Sequence, residues 1–142
     1  DAYEVGFAYR RSKLANNLFA FELQRRLAAA GRTTVEALAL EPGFIPQTGL
    51  VREAGPLGVF FLRWILDGVL KAAGLVTFTR TVEDGATCEV LCCTSEEAVA
   101  GGYHRLSRDG RLEVVTPSEE SQDEEKARRL WELSAELTGC GS

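Results

Sequence analysis

The chain has 142 residues, a formal net charge of −5 at pH 7 and 45% hydrophobic residues, enough apolar material for one ordinary domain spanning residues 1–142 with its own buried core. Its 16 basic residues are interspersed among 21 acidic ones with no free-standing Lys/Arg tract, which argues against a nucleic-acid groove. The four cysteines, Cys88, Cys92, Cys93 and Cys140, close no convincing loop, so a disulfide framework is disfavoured and a reducing compartment expected. No metal site is expected either: three of these thiols sit on one presumed helix, where adjacent residues point apart, and His104 is the lone histidine.

In chain order, residues from Phe7 to Ala30 place Leu14, Leu18, Phe21 and Leu27 at helical spacing, with Gly31 as a stop. Tyr9 and Lys13 lie one turn apart on the same face of this helix. A phenol beside an ammonium is a reactive pairing, because the positive charge favours the phenolate and brings proton transfer nearer to working range. The plain alternative is a packed aromatic next to a solvated charge. Thr33–Leu40 then reads as a strand buried on both faces of a parallel sheet, closed by Glu41-Pro42-Gly43. A helix, a buried strand and a Pro-Gly loop form one repeat of an α/β sheet. Such sheets hold ligands at the carboxyl ends of their strands, which directs attention to the loop Pro42–Thr48.

Residues Pro56–Val76 are apolar enough to raise a membrane span. Arg63, Asp67 and Lys71, at successive four-residue steps, argue instead for an amphipathic helix with one polar stripe. Its surplus of aromatics also suits a flap over an apolar ligand, or a surface resting on a membrane or partner. Thr81-Val82-Glu83-Asp84 marks the start of another helix, expected to cover the sheet and to run to Ser95. Gly101–Leu106 and Leu112–Val115 read as short strands joined by a turn at Arg108–Arg111. His104 is read as a surface or strand histidine, since no serine or cysteine stands in a readable relation to it. Ser121-Gln122-Asp123-Glu124 fits a capping box. The last helix then presents Ala127, Leu130, Trp131, Ser134 and Leu137 on one narrow face and stops at Gly139.

Tyr9-Arg10-Arg11-Ser12-Lys13 on a helix, the strand after it, and Pro42-Gly43-Phe44-Ile45-Pro46-Gln47-Thr48 together resemble the short-chain dehydrogenase/reductase family, with its Y-x-x-x-K motif followed by P-G and a threonine. Within it, the loop through Thr48-Gly49-Leu50-Val51-Arg52 and the tail from Ser118 to Ser134 are most similar to the light-dependent NADPH:protochlorophyllide oxidoreductases of algal type. Ala15 departs from that group, which commonly carries a cysteine there, and agrees with retinol dehydrogenase-like members.

The resemblance implies an α/β fold, the C-terminal part of a Rossmann-like doubly wound parallel sheet. The nucleotide-binding N-terminal half would be missing, since no glycine-rich dinucleotide loop is present. It further implies Tyr9 as proton donor, Lys13 assisting it and bonding the ribose of NADPH, Pro42–Ile45 beside the nicotinamide and Thr48 adding a contact. The activity implied is light-dependent reduction of protochlorophyllide in a plastid. The alternatives are a cytoplasmic retinol- or carbonyl-reductase-like enzyme with another apolar small-molecule substrate, or an inactive fragment or interaction module. Homo-oligomer formation and peripheral membrane association stay open, and no transmembrane segment is expected.

Overall fold

The computed structural model describes residues 4–45, 60 and 80–140. Thr48 lies outside these, as does the apolar segment 56–76 apart from Phe60, which is helical and exposed.

Helix α1, Val5–Ala29, starts without a side-chain cap at Glu4. It ends where Gly31 adopts φ 66, so that the Arg32 amide reaches the Leu27 carbonyl and the Gly31 amide that of Ala28; these two bonds satisfy carbonyls the helix itself leaves open. Strand β1, Ala39–Glu41, follows. Helix α2, Val82–Thr94, opens on a full capping box, in which the Thr81 hydroxyl accepts from the Asp84 amide and the Asp84 carboxylate accepts from the Thr81 amide. Strands β2, Tyr103–Leu106, and β3, Leu112–Val114, are followed by a 3₁₀ turn at Glu119–Gln122 and helix α3, Glu124–Thr138.

The strands pair in the order β1-β2-β3. Gly101 donates to Ala37 at 2.8 Å and Ala39 to Gly102 at 3.0 Å, a pairing in which both segments run the same way. Ser107 donates to Arg111 and Val115 to Tyr103, each at 2.8 Å, the pattern of an antiparallel hairpin. The protein is therefore α/β, and its small mixed sheet fits part of a Rossmann-like fold; the expected parallel pairing holds for β1 and β2, while β3 runs against them.

The chain divides into two compact units. In the first (residues 1–39, 98–104 and 114–142), α1 packs on α3 and on the 3₁₀ turn. Leu18, Phe21 and Ala127 are buried there, the two larger side chains contributing about 1.5–3 kcal/mol each. Phe19 stacks on Trp131 with ring centroids 4.9 Å apart, and the Arg26 guanidinium lies 4.8 Å from the Trp131 ring. Glu22, only 4% exposed, accepts from both Arg25 and Arg26 at 3.0 and 2.7 Å. The second unit (residues 40–97 and 105–113) buries Ile45, Cys88, Cys92, Leu106 and Leu112.

Three expectations are corrected. The strand read at Thr33–Leu40 begins only at Ala39, and Thr33–Glu36 are exposed; the Ala37 amide is taken by the Gln24 side chain at 2.8 Å, so the segment joins the sheet only beyond that point. The cap of α3 is Asp123, accepting from the Lys126 amide at 3.0 Å, rather than Ser121. Ser121 is buried in the 3₁₀ turn with its hydroxyl donated to the Ser118 carbonyl at 2.7 Å. Leu137, expected on the packed face of α3, is 77% exposed.

Candidate active site

Tyr9 and Lys13 are brought together by the α1 backbone. Both are exposed, and the Lys13 ammonium lies 5.4 Å from the centroid of the Tyr9 ring, a cation–π contact that holds the two side chains side by side. The Ser12 hydroxyl donates to the Tyr9 carbonyl at 2.7 Å and so points back along the helix. Among the described residues no carboxylate pairs with Lys13, which leaves its ammonium free to donate to a ligand hydroxyl.

Pro42, Gly43, Phe44 and Ile45 belong to the second unit. Gly43 has φ 80, a left-handed conformation that suits glycine, and a Cβ on it would stand 2.6 Å from the Arg80 Cγ. The Phe44 carbonyl accepts from the Arg80 amide at 2.8 Å, and Arg80 Nη2 donates to the Leu106 carbonyl at 2.6 Å. Ile45 is buried; a Cβ built on Gly85 of α2 would fall 2.5 Å from its Cδ1, so α2 seats the loop through that glycine. Beside the loop is a cavity of about 300 Å³ lined by Glu41–Phe44, Arg80 and Arg105–Arg108, with Glu113 at its edge. Its walls thus begin where β1 and β2 end, the position where open α/β sheets bind ligands. Arg105 is tied to Glu113 at 2.5 Å; that hydrogen bond and the neighbouring carboxylate charge hold its guanidinium above the ordinary arginine range.

Tyr9 and Lys13 thus form one group and Pro42–Ile45 another, each in its own unit. Arg80 and Arg105 were not singled out from the sequence, because isolated arginines carry no motif. His104 sits in β2 as expected, but it is fully buried rather than on the surface. Its Nε2 accepts from the Val99 amide at 3.0 Å, which leaves the proton on Nδ1, 3.4 Å from the Ala39 carbonyl. The alternation that buries both His104 and Leu106 was the available signal. The thiols are free. Burial pushes Cys88 up, while burial and then the neighbouring Cys88 push Cys92 up to about 11. Among the described residues no cluster of His, Cys, Asp or Glu could hold a metal ion, and no helix is long and apolar enough to cross a membrane.

No protein-family model matches the chain. It is 34% identical to retinol dehydrogenase 11 of Homo sapiens over 96% of its own length and 37% of that protein. It is also 34% identical to the polyprenol dehydrogenase of Mus musculus (99% of this chain, 38% of that one) and 33% identical to the human WW domain-containing oxidoreductase (95% and 28%). The crystal structure of an uncharacterised protein from Mycobacterium paratuberculosis superposes with a TM-score of 0.62 at 30% identity, covering 97% of this chain and 41% of that one. The retinol dehydrogenases are members of the short-chain dehydrogenase/reductase family, and it is with this family that the chain shares sequence along nearly its whole length. The chain spans well under half the length of these relatives. They favour the retinol-type alternative over protochlorophyllide reduction, and they lend no support to chlorophyll synthesis or a plastid location.

Proposed function

We propose that the chain carries the proton-transfer residues of an NAD(P)-dependent short-chain oxidoreductase that interconverts an apolar alcohol and its carbonyl, of the kind named in its retinol and polyprenol dehydrogenase relatives. The observation that carries this reading is the Tyr9–Lys13 pair, held on one turn of α1 with the ammonium 5.4 Å from the phenol ring, within a chain 34% identical to a retinol dehydrogenase.

The donor set fits the ribose side of a dinucleotide. An ammonium free of carboxylate partners has three N–H donors for ribose hydroxyls, and the phenol beside it can both donate and accept. When bound, the nicotinamide group would exchange hydride with the carbon of the alcohol or carbonyl. Tyr9 Oη would give its proton to the carbonyl oxygen in reduction and take it back in oxidation, while Lys13 would orient the ribose and stabilise negative charge on the phenol oxygen. Pro42–Ile45 would lie along the nicotinamide edge with their backbone, and Thr48 would add a side-chain contact. The cavity at the carboxyl ends of β1 and β2 supports placing a ligand beside that loop.

The test is steady-state oxidation of all-trans-retinol with NADP and, separately, with NAD. Tyr9→Phe is expected to lower kcat/KM by about two orders of magnitude or more, the usual contribution of a positioned acid–base group. Unchanged turnover in that variant would remove the proton-donor role.

A further inference from the structure

On the side of α1 next to Lys13 lies an open cavity of about 440 Å³ whose charged lining is Arg10, Arg11, Lys13 and Glu120, with Phe7 and Leu14 as its apolar wall. The charges are lopsided: three cations against one carboxylate, in a chain whose formal net charge is −5. Among the described residues none of the three cations makes an ion pair. Arg11 lies over the Phe7 ring at 5.5 Å and Lys13 over Tyr9 at 5.4 Å. In the cavity beside the Pro-Gly loop, by contrast, Arg105 is already engaged by Glu113. The Arg11–Phe7 contact also fixes one guanidinium as part of the wall, so less side-chain freedom is lost when a ligand is bound.

We propose that this cavity is a phosphate-binding site, adjoining the Tyr9–Lys13 pair and sharing the Lys13 ammonium with it, that takes a phosphomonoester dianion attached to a partly apolar body. The local surplus of two positive charges matches a dianion better than a carboxylate. Two guanidinium forks and an ammonium supply more N–H donors than a carboxylate can accept, and charge-assisted bonds of this type are the strong ones. Asn17, also in the lining, adds a neutral donor. The cavity is several times larger than a phosphate group, and Phe7 and Leu14 give the remainder of the ligand an apolar surface. Two sources share this chemistry, a soluble phosphorylated metabolite and a lipid phosphate headgroup.

The experiment is calorimetric titration of the full chain with inorganic phosphate at low ionic strength, alongside flotation with phosphatidylcholine vesicles with and without phosphatidate. Saturable phosphate binding, weakened about tenfold or more in the Arg10→Gln/Arg11→Gln double variant and unaffected in Arg128→Gln/Arg129→Gln, is the expected result. Phosphate binding with no preference for phosphatidate vesicles assigns a soluble ligand; a phosphatidate-dependent flotation lost in the Arg10/Arg11 variant assigns a headgroup. Should the double variant fail to fold by circular dichroism, Glu120→Gln supplies the opposite test, since removing the cavity's carboxylate should tighten phosphate binding about threefold. Absence of binding to both probes, equal loss in the two arginine variants, or an unchanged affinity in Glu120→Gln overturns the proposal. Tyr9→Phe is expected to leave phosphate affinity unchanged, so failure here and failure of the oxidoreductase reading are told apart.

Discussion

Gly43→Ala is the sharpest perturbation of the Pro-Gly loop. At φ 80 a residue with a Cβ bears about 1–2 kcal/mol of backbone strain. The added carbon would also stand 2.6 Å from the Arg80 Cγ, close to the base of that side chain rather than at its flexible end. Moving Arg80 aside disturbs the Nη2 bond to the Leu106 carbonyl at 2.6 Å, and overpacking of this sort costs about 1–3 kcal/mol. The substitution should therefore destabilise the protein by about 2–5 kcal/mol, read in urea as a lower midpoint at constant slope. Arg80→Ala removes the obstructing carbon, so the double variant should lose about 1–2 kcal/mol less than the sum of the single losses. Strict additivity, or a Gly43→Ala midpoint equal to the parent's, would refute the account. Weakened NAD(P) affinity at unchanged stability would instead assign the glycine to close ligand approach.

His104→Phe keeps a ring in the buried site but leaves the Val99 amide without its acceptor; a loss of about 1–2 kcal/mol in urea melts is expected, and no loss would mean that the amide finds water. Treatment with N-ethylmaleimide at pH 8 should label Cys93 and Cys140, which are exposed, well before Cys88 and Cys92, whose thiols burial pushes up, as mass spectrometry of timed aliquots would show. Asp123 titrates below the ordinary carboxylate range because it accepts from the Lys126 amide. Its folded-state value lies below the unfolded one, so its contribution is present above the unfolded value and lost as pH falls through the folded one. Helix content followed by circular dichroism should therefore fall at acid pH in the parent, with Asp123→Ala lower than the parent at neutral pH and Asp123→Asn close to it.

The helices were legible where one local rule decided them. The apolar spacing of α1, the Thr81–Asp84 capping box and the stops at Gly31 and Gly139 each depend on neighbours within one or two turns. Thr33–Glu36 misled because threonine and valine favour extended backbone wherever they occur, whereas joining a sheet depends on distant partners such as Gln24 and Gly101. Ser121 and Asp123 both had capping chemistry, and the Ser118 carbonyl decided between them by accepting the Ser121 hydroxyl. At the candidate site, the Tyr9–Lys13 pairing followed from helical spacing alone. The arginines around the Pro-Gly loop did not, because Arg80 and Arg105 reach the cavity from separate elements.

The tail from Ser118 to Ser134 holds no candidate catalytic residue, and the packing gives it a role. Trp131 of α3 contacts both Phe19 and Arg26 of α1, and Arg26 is fixed in turn by the buried Glu22 at 2.7 Å. These contacts grip α1 in its middle and C-terminal turns, whereas its uncapped N-terminal end carries the exposed Tyr9 and Lys13. Ten residues separate Tyr9 from Phe19, about 15 Å of helix at 1.5 Å per residue. A hydrogen-bonded helix is stiff over that distance, so an anchor at Phe19 restricts where the Tyr9 hydroxyl can point.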